Sequence, residues 1–294
     1  MMQTDIELQP AYTRSMSDLA ALFNTAFTGY IGGSIQFDER SLARFFARDT
    51  VDLGASQVAV WGGEAVGLAL IARQGWSCRL AAMGVIPSAT GRGVGKAMMT
   101  RLIEQALDRG DRLFDLEVIE QNDRALRLYE GAGFERVRRL VGYEVDAPAG
   151  EANPALEQID IPDAAKPIVR HGAPDLPAAV SGWQVARLSP PDVAYRLDQA
   201  CVVLSNPDAA VVALRAFIVP TDVRRQGRAT RLFSAIFAAY PGKRWLMPAV
   251  CPEEVGAALF AHFGFTRQSI SQWQMRLILS QDHLSESAAS IIPM

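Results

Sequence analysis

The chain has 294 residues, 49% apolar and 21% charged, and its 29 Lys and Arg against 32 Asp and Glu leave a net charge of −3. A polypeptide this apolar builds real cores, so wholesale disorder is excluded, and the length suits about two ordinary domains. The balanced charge argues against nucleic acid as a partner, and no apolar run approaches the roughly 20 residues that cross a bilayer. Cys78, Cys201 and Cys251 are too scattered for a disulfide framework or a zinc site, so no metal is expected. The opening MMQTDIELQP has no basic stretch followed by an apolar one, so no secretory signal is expected there. The expected compartment is the reducing cytoplasm, and a homo-oligomer is compatible with these numbers.

In chain order, residues 15–28 and 38–48 carry apolar side chains at spacings of three and four and predict two amphipathic helices. Residues 57–61 and 65–73 read as strands joined through Gly62-Gly63, a hairpin signal, and 79–86 as a further strand. A helix is predicted from Lys96 to a stop at Gly110, then a strand over 112–119, a short helix over 123–131 and closing strands over 134–145. Residues 147–177 hold Pro148, Pro154, Pro162, Pro167, Pro174 and Pro177 and predict a linker leading into a second domain. Over 178–280 the sequence predicts a hairpin around Asn206-Pro207-Asp208, a strand to Val219, a helix from Ala229, a strand at 244–250 and a helix from Glu253. Residues 281–294 read as a fraying tail.

The second half repeats the first. Gly91-Arg92-Gly93-Val94-Gly95 pairs with Arg225-Gln226-Gly227-Arg228-Ala229, and Leu128-Tyr129 to Gly133-Phe134 pairs with Leu259-Phe260 to Gly264-Phe265 at nearly the same separation. Two matches at one spacing predict a duplicated domain of about 140 residues, with 1–146 the first copy and 178–280 a shortened second.

Each glycine loop stands between a strand and a helix, where backbone N–H groups and the helix N-terminus attract an anion. Arg92 and Lys96 add formal charge, so a phosphate or pyrophosphate is the expected guest. A P-loop is excluded by Thr90 and Ala97, and a dinucleotide fingerprint by Lys96. A third pattern, Arg or Gln, two residues, Gly, one residue, Gly or Ala, fits Arg224, Gly227 and Ala229 throughout and fits Gly93 and Gly95 with a departure at Thr90.

On these residues, and on Asn122, Ala125, Leu128, Tyr129, Gly133 and Phe134 as a second motif, the sequence resembles the GNAT acetyltransferase superfamily. The resemblance covers about 16–145 and, more weakly, 183–279, where Glu253, Gly256 and Phe260 replace Asn, Ala and Tyr of the second motif. It implies two tandem α/β folds of the α+β type, each a mixed, mainly antiparallel sheet splayed at a cofactor cleft and flanked by helices. It further implies acetyl-CoA as cosubstrate, with its pyrophosphate on Arg92, Gly93, Val94, Gly95 and Lys96. Backbone groups of Met83, Gly84 and Val85 would hold the pantetheine and thioester, and Asn122 would complete the cofactor-binding set. In the second copy Arg224, Gly227 and Ala229 would be the corresponding cofactor contacts. An amine, on a small molecule or a peptide, would be the acceptor.

Acetyl transfer needs a neutral amine, a stabilised oxyanion and a protonated leaving thiolate. An alkyl amine of pKa about 10.4 is about 0.04% neutral at pH 7, a handicap near 4.6 kcal/mol. Strand 79–85 contains no carboxylate; Glu117 and Glu120 are the nearest acidic candidates for a base, with water as the alternative. Tyr129 is the expected acid to the thiolate, a role closed to Phe260, so the first copy is the expected catalytic domain. Phe27 and Tyr30, in an aromatic stretch between the first two helices, are the expected acceptor-binding residues. The expected function is thus an acetyl-CoA-dependent N-acetyltransferase; the alternative is an acyl-CoA-binding regulatory or scaffold protein.

Overall fold

The computed structural model describes residues 6–33, 35–173 and 175–279, and the chain divides into two compact units, 1–137 with 274–294, and 138–273. The tail 281–294 lies outside the described residues.

The first unit runs β1 (Glu7–Pro10), α1 (Met16–Ala26), α2 (Glu39–Asp49), β2 (Gln57–Trp61), β3 (Glu64–Gln74), β4 (Ser77–Val85), α3 (Val94–Asp108), β5 (Leu113–Ile119) and α4 (Asp123–Glu130). Its strands lie in the order β1-β2-β3-β4-β5. The pairs are antiparallel except β4 with β5. Reciprocal capping boxes, Ser15 with Asp18 and Asp38 with Ser41, start α1 and α2. The apolar faces of those helices, Leu19, Leu22, Phe23, Leu42 and Phe46, pack on Val58, Val60, Leu68 and Leu70. On the opposite face of the sheet Gly67 lacks a side chain, and Met98 of α3 approaches to 3.2 Å of where its Cβ would stand. The helices thus sandwich the sheet.

The chain passes between units in β6 (Glu135–Asp146). The second unit continues with β7 (Glu157–Ile159), α5 (Ile161–His171), α6 (Gly182–Val185), β8 (Val193–Leu197), β9 (Ala200–Leu204), β10 (Val211–Ile218), α7 (Arg228–Ala239), β11 (Arg244–Pro252) and α8 (Ala257–His262). Its strand order is β6-β11-β10-β9-β8-β7. β12 (Thr266–Ile278) starts in the second unit, and its end from Gln274 belongs to the first.

The structure departs from the sequence reading in several elements: α6, β8 and β12 were not anticipated, the closing strands expected over 134–145 are the single β6, and three further differences have a physical reason. The edge strand β1 was not anticipated; it is too short for a period, and its pairing with β2 creates it. The proline-rich stretch carries β7 and the 11-residue α5, which takes Pro162 in its first turn and tolerates Pro167 inside. The helix expected from Glu253 starts only after Gly256, because β11 runs on to Pro252 and the Glu253 side chain pairs with Arg267 at 2.6 Å and Arg139 at 3.5 Å.

Candidate active site

Parallel pairing of β4 with β5 runs through Ser77–Leu113, Cys78–Phe114, Arg79–Asp115 and Leu80–Leu116 and stops there. β4 nonetheless continues to Val85 and β5 to Ile119. The pairing of β3 with β4 skips Ala81, between Leu70–Ala82 and Ile71–Leu80, so a bulge sits one residue past the last β4–β5 pair. A bulge bends and twists its strand, and here it turns β4 away from β5. The strands open a V whose one edge is Ala82 to Val85, including Met83, Gly84 and Val85, paired to β3 but not to β5.

The glycine loop lies beyond the open end. Gly91 and Gly93 have φ of +85° and +82°, and Gly93 is the N-cap of α3. A residue with a Cβ is strained there. Gly95, two residues further, stands 3.3 Å by its absent Cβ from Leu128 Cδ2 of α4, so the two motifs touch. The Arg92 guanidinium stacks 4.5 Å over the Trp61 ring, and neither Arg92 nor Lys96 makes an ion pair among the described residues. A shallow cavity of about 490 Å³ beside them is lined by Leu8, Gly93, Lys96, Ala97 and Thr100. Val94 is buried and roots the helix end in the core. Two free cations and a turn of unpaired N–H groups suit a diphosphate.

Asn122 caps α4, its Oδ1 accepting from Ala125 N at 3.2 Å. Tyr129, one face of α4 inward, is 7% exposed. Burial, and secondarily the nearby Tyr30 hydroxyl, push its pKa well above the ordinary phenol range. Burial raises Tyr30 too. Both hydroxyls therefore carry their protons at neutral pH and act as donors. Linkage runs one way: these raised pKa values contribute stability that is full below pH 10 and is lost as pH climbs through the folded values.

Tyr30 reaches this point through tight contacts. The missing Cβ of Gly84 would lie 2.9 Å from the Phe27 ring and 3.0 Å from Ala26 Cβ, so α1 seats directly on the open end of β4. Phe27 meets Tyr30 edge-on at 5.2 Å. The position of a Gly32 Cβ is sandwiched between Tyr30 Cε1 at 2.6 Å and Ile119 Cδ1 at 2.9 Å. Asn24 staples the loop, donating to Phe37 O at 2.9 Å and accepting from Phe37 N at 2.8 Å. Gly84→Val is expected to cost about 1–3 kcal/mol by overpacking, measured by urea unfolding; parent stability would show that α1 does not seat on β4.

Strand alternation directs Glu117 away from the side of Leu116 and Val118. Its Oε2 accepts from Arg79 Nη1 at 3.2 Å, and Arg79 Nη2 donates to Asp49 Oδ1 at 2.8 Å. Asp115, two residues earlier, pairs with Arg276 from the end of β12 at 2.6 Å. Thus Met83, Gly84, Val85, the loop 92–96, Asn122, Tyr129, Phe27 and Tyr30 gather about one opening, and Glu117 stands at its narrow end. Sequence reasoning missed Arg79 and Asp49. The available signal was an arginine between the buried Cys78 and Leu80 inside a strand.

The second unit opens in the same way and is then filled. β10 pairs with β11 from Val211–Arg244 to Ala213–Leu246 and no further, with a bulge at Arg215 in the β9–β10 register. Register places Pro248 where Glu117 stands, Ala213 where Arg79 stands and Phe217 where Met83 stands. Phe217 packs on Phe233 and Phe260 at 5.3 and 5.9 Å, and Tyr143 stacks on Phe260 at 4.5 Å. Gly227 caps α7 with φ +71°, followed by Arg228 and Ala229. Three of its cations are engaged: Arg224 donates to Val219 O and His171 O at 3.0 and 3.1 Å, and Arg228 and Arg231 pair with Asp198 at 3.5 and 3.2 Å.

Among the described residues no helix is long and apolar enough to cross a membrane. A sequence profile described as the acetyltransferase (GNAT) family matches residues 16–134. A stretch of 80 residues is 40% identical to the N-alpha-acetyltransferase RimI of Mycobacterium tuberculosis, covering 26% of this chain and 49% of that protein. Another of 61 residues is 43% identical to the mycothiol acetyltransferase of Kineococcus radiotolerans, covering 21% of this chain and 20% of that protein. The matches therefore span about half of the first relative and a fifth of the second. A solved tandem GNAT protein from the clavulanic acid biosynthesis pathway aligns over 94% of this chain and 99% of its own, with a TM-score of 0.64 at 14% identity, which is a likeness of fold.

Proposed function

We propose, from the match of residues 16–134 to the acetyltransferase (GNAT) family, that this chain transfers an acetyl group from acetyl-CoA to the nitrogen of an amine in its first unit. The observation that carries the reading is the V between β4 and β5, with a two-cation glycine loop at its open end and a buried phenol beside it. The diphosphate of acetyl-CoA sits on Arg92 to Lys96, and Met83, Gly84 and Val85 offer the thioester arm the strand edge that β5 leaves vacant. The amine attacks the thioester carbon, the C–S bond breaks, Tyr129 gives the departing sulfur its proton, and the proton that the nitrogen sheds on becoming an amide passes through water to the phenolate. The dry cleft makes the thiolate more basic than in water, where its pKa is about 8.5, which offsets the weaker acidity that the same burial gives the phenol. Glu117 draws the acceptor ammonium in and takes its proton directly or through one water; Oε2 is tied to Arg79, which leaves Oε1 for this task. Phe27 and Tyr30 form an apolar wall for the group bearing the amine.

The names of the matched relatives suggest a peptide N-terminus or a small thiol precursor as acceptor classes to try first. In the second unit Arg224, Gly227 and Ala229 are proposed to meet coenzyme through its phosphates only, because Phe217 and Phe260 occupy the way inward. The expected compartment remains the cytoplasm.

Release of free thiol from acetyl-CoA across a panel of peptides and small amines tests this. Acetyl-CoA that is bound without any amine-dependent thiol release would instead favour the scaffold reading. Phe27→Ala is expected to raise the acceptor KM about tenfold, the loss of roughly 1.4 kcal/mol of aromatic contact, with the acetyl-CoA KM unchanged. An unchanged acceptor KM would remove Phe27 from the acceptor wall.

A further inference from the structure

We infer that Arg79, held from behind by Asp49, is the positioning residue that orients the Glu117 side chain at the vertex of the cleft. The inference rests on the reading of Glu117 given above. Arg79 belongs to the next-to-last β4–β5 pair, and Glu117 is the first β5 residue beyond the last one. The clamp therefore bridges the point where the strands part. Its members are shielded, with side-chain exposures of 16% for Arg79, 8% for Asp49 and 13% for Glu117. Burial acts to lower the Arg79 pKa, yet the charges of Glu117 and Asp49 outweigh it and hold it above the ordinary range. The guanidinium is a rigid planar fork, so engaging both carboxylates fixes its plane and with it the Glu117 rotamer.

The second unit supplies an internal control. It parts its strands one pair sooner, at the equivalent of Arg79–Asp115, and carries the same kind of bulge, so the strands splay there without any clamp. Ala213 and Pro248 stand at the two positions instead, in the unit where Phe260 also replaces Tyr129. Arginine, glutamate and tyrosine are present together in one unit and absent together in the other. The clamp thus goes with the chemistry rather than with the splay.

The charged groups around Glu117 are Arg79 from β4, Asp49 and its partner Arg48 from α2, Asp115 on its own strand and Arg276 from β12, with the Tyr30 and Tyr129 hydroxyls at the open end. The test uses the full chain and kinetics with a responding amine. Arg79→Met is expected to lower kcat about tenfold or more while the acetyl-CoA KM stays within about twofold. Arg79→Lys restores kcat only in part, as the fork is missing. Asp49→Asn, which leaves the guanidinium with one carboxylate, lowers kcat less than Arg79→Met. Loss of packing alone does not spare the acetyl-CoA KM, so Arg79→Lys and Asp49→Asn decide the matter if Arg79→Met fails to fold. Parent kcat in these variants beside an impaired Glu117→Gln would overturn the clamp alone. A fully active Glu117→Gln would overturn the role of Glu117 and the clamp with it.

Discussion

Tyr129→Phe is expected to lower kcat of the whole chain by about two to three orders of magnitude, the range for removal of a general acid. Only one oxygen is lost, from a hydroxyl that accepts or donates no hydrogen bond within the described residues, so thermal stability and acetyl-CoA affinity are expected to hold. The effect is on kcat because proton donation to sulfur belongs to the transition state and not to ground-state binding. Its raised pKa also sets the pH behaviour: the phenol stays protonated past pH 10, so any fall in parent kcat between pH 8 and 10 has another origin. The loss extends to the whole chain because Phe260 is the counterpart in the second unit. Phe260→Tyr on the Tyr129→Phe background is expected to restore nothing, since Pro248 stands where Glu117 would be and the ring lies fully buried against Phe217 and Tyr143. Residual activity above about a tenth of the parent in Tyr129→Phe would end the acid assignment.

The second large effect is expected at Gly93. Its φ of +82° is closed to a β-branched residue, so Gly93→Val must rebuild the turn that presents the α3 N-terminus. Strain of this kind costs about 1–3 kcal/mol, and the misaimed N–H groups forfeit charge-assisted hydrogen bonds besides. Together these predict a rise in the Kd for coenzyme A of about a hundredfold by calorimetry. The Cβ itself meets nothing within 4 Å, so the effect comes from backbone conformation and not from a clash. The parent Kd in this variant would mean that coenzyme binds elsewhere.

Much of this site was legible from residue spacing. The repeat announced itself because two short motifs recurred at one separation, and each motif is local: a glycine loop with its helix, and an Asn-capped helix with its tyrosine. Such motifs are dictated by nearest neighbours, by positive φ, side-chain caps and the 3.6-residue period, and these are written in consecutive residues. The departure at Thr90 from the family pattern did no harm to the loop, whose turn depends on Gly91 and Gly93.

What the chain alone determined is therefore the glycine loop, the Asn-capped helix and the short elements that present their side chains. The tertiary structure decided where those elements meet. The V exists because β4–β5 pairing ends at Leu80–Leu116 beside a bulge at Ala81, and a bulge depends on the partner strand's register, not on the bulged residue. The clamp on Glu117 joins positions 49, 79 and 117, and the seating of Phe27 and Tyr30 depends on close approaches at two glycines, Gly84 and Gly32. Side chains so far apart in the chain are neighbours only after the sheet is built, which is why periodicity and motif found the phenol and the glycine loop but not the arginine behind the carboxylate.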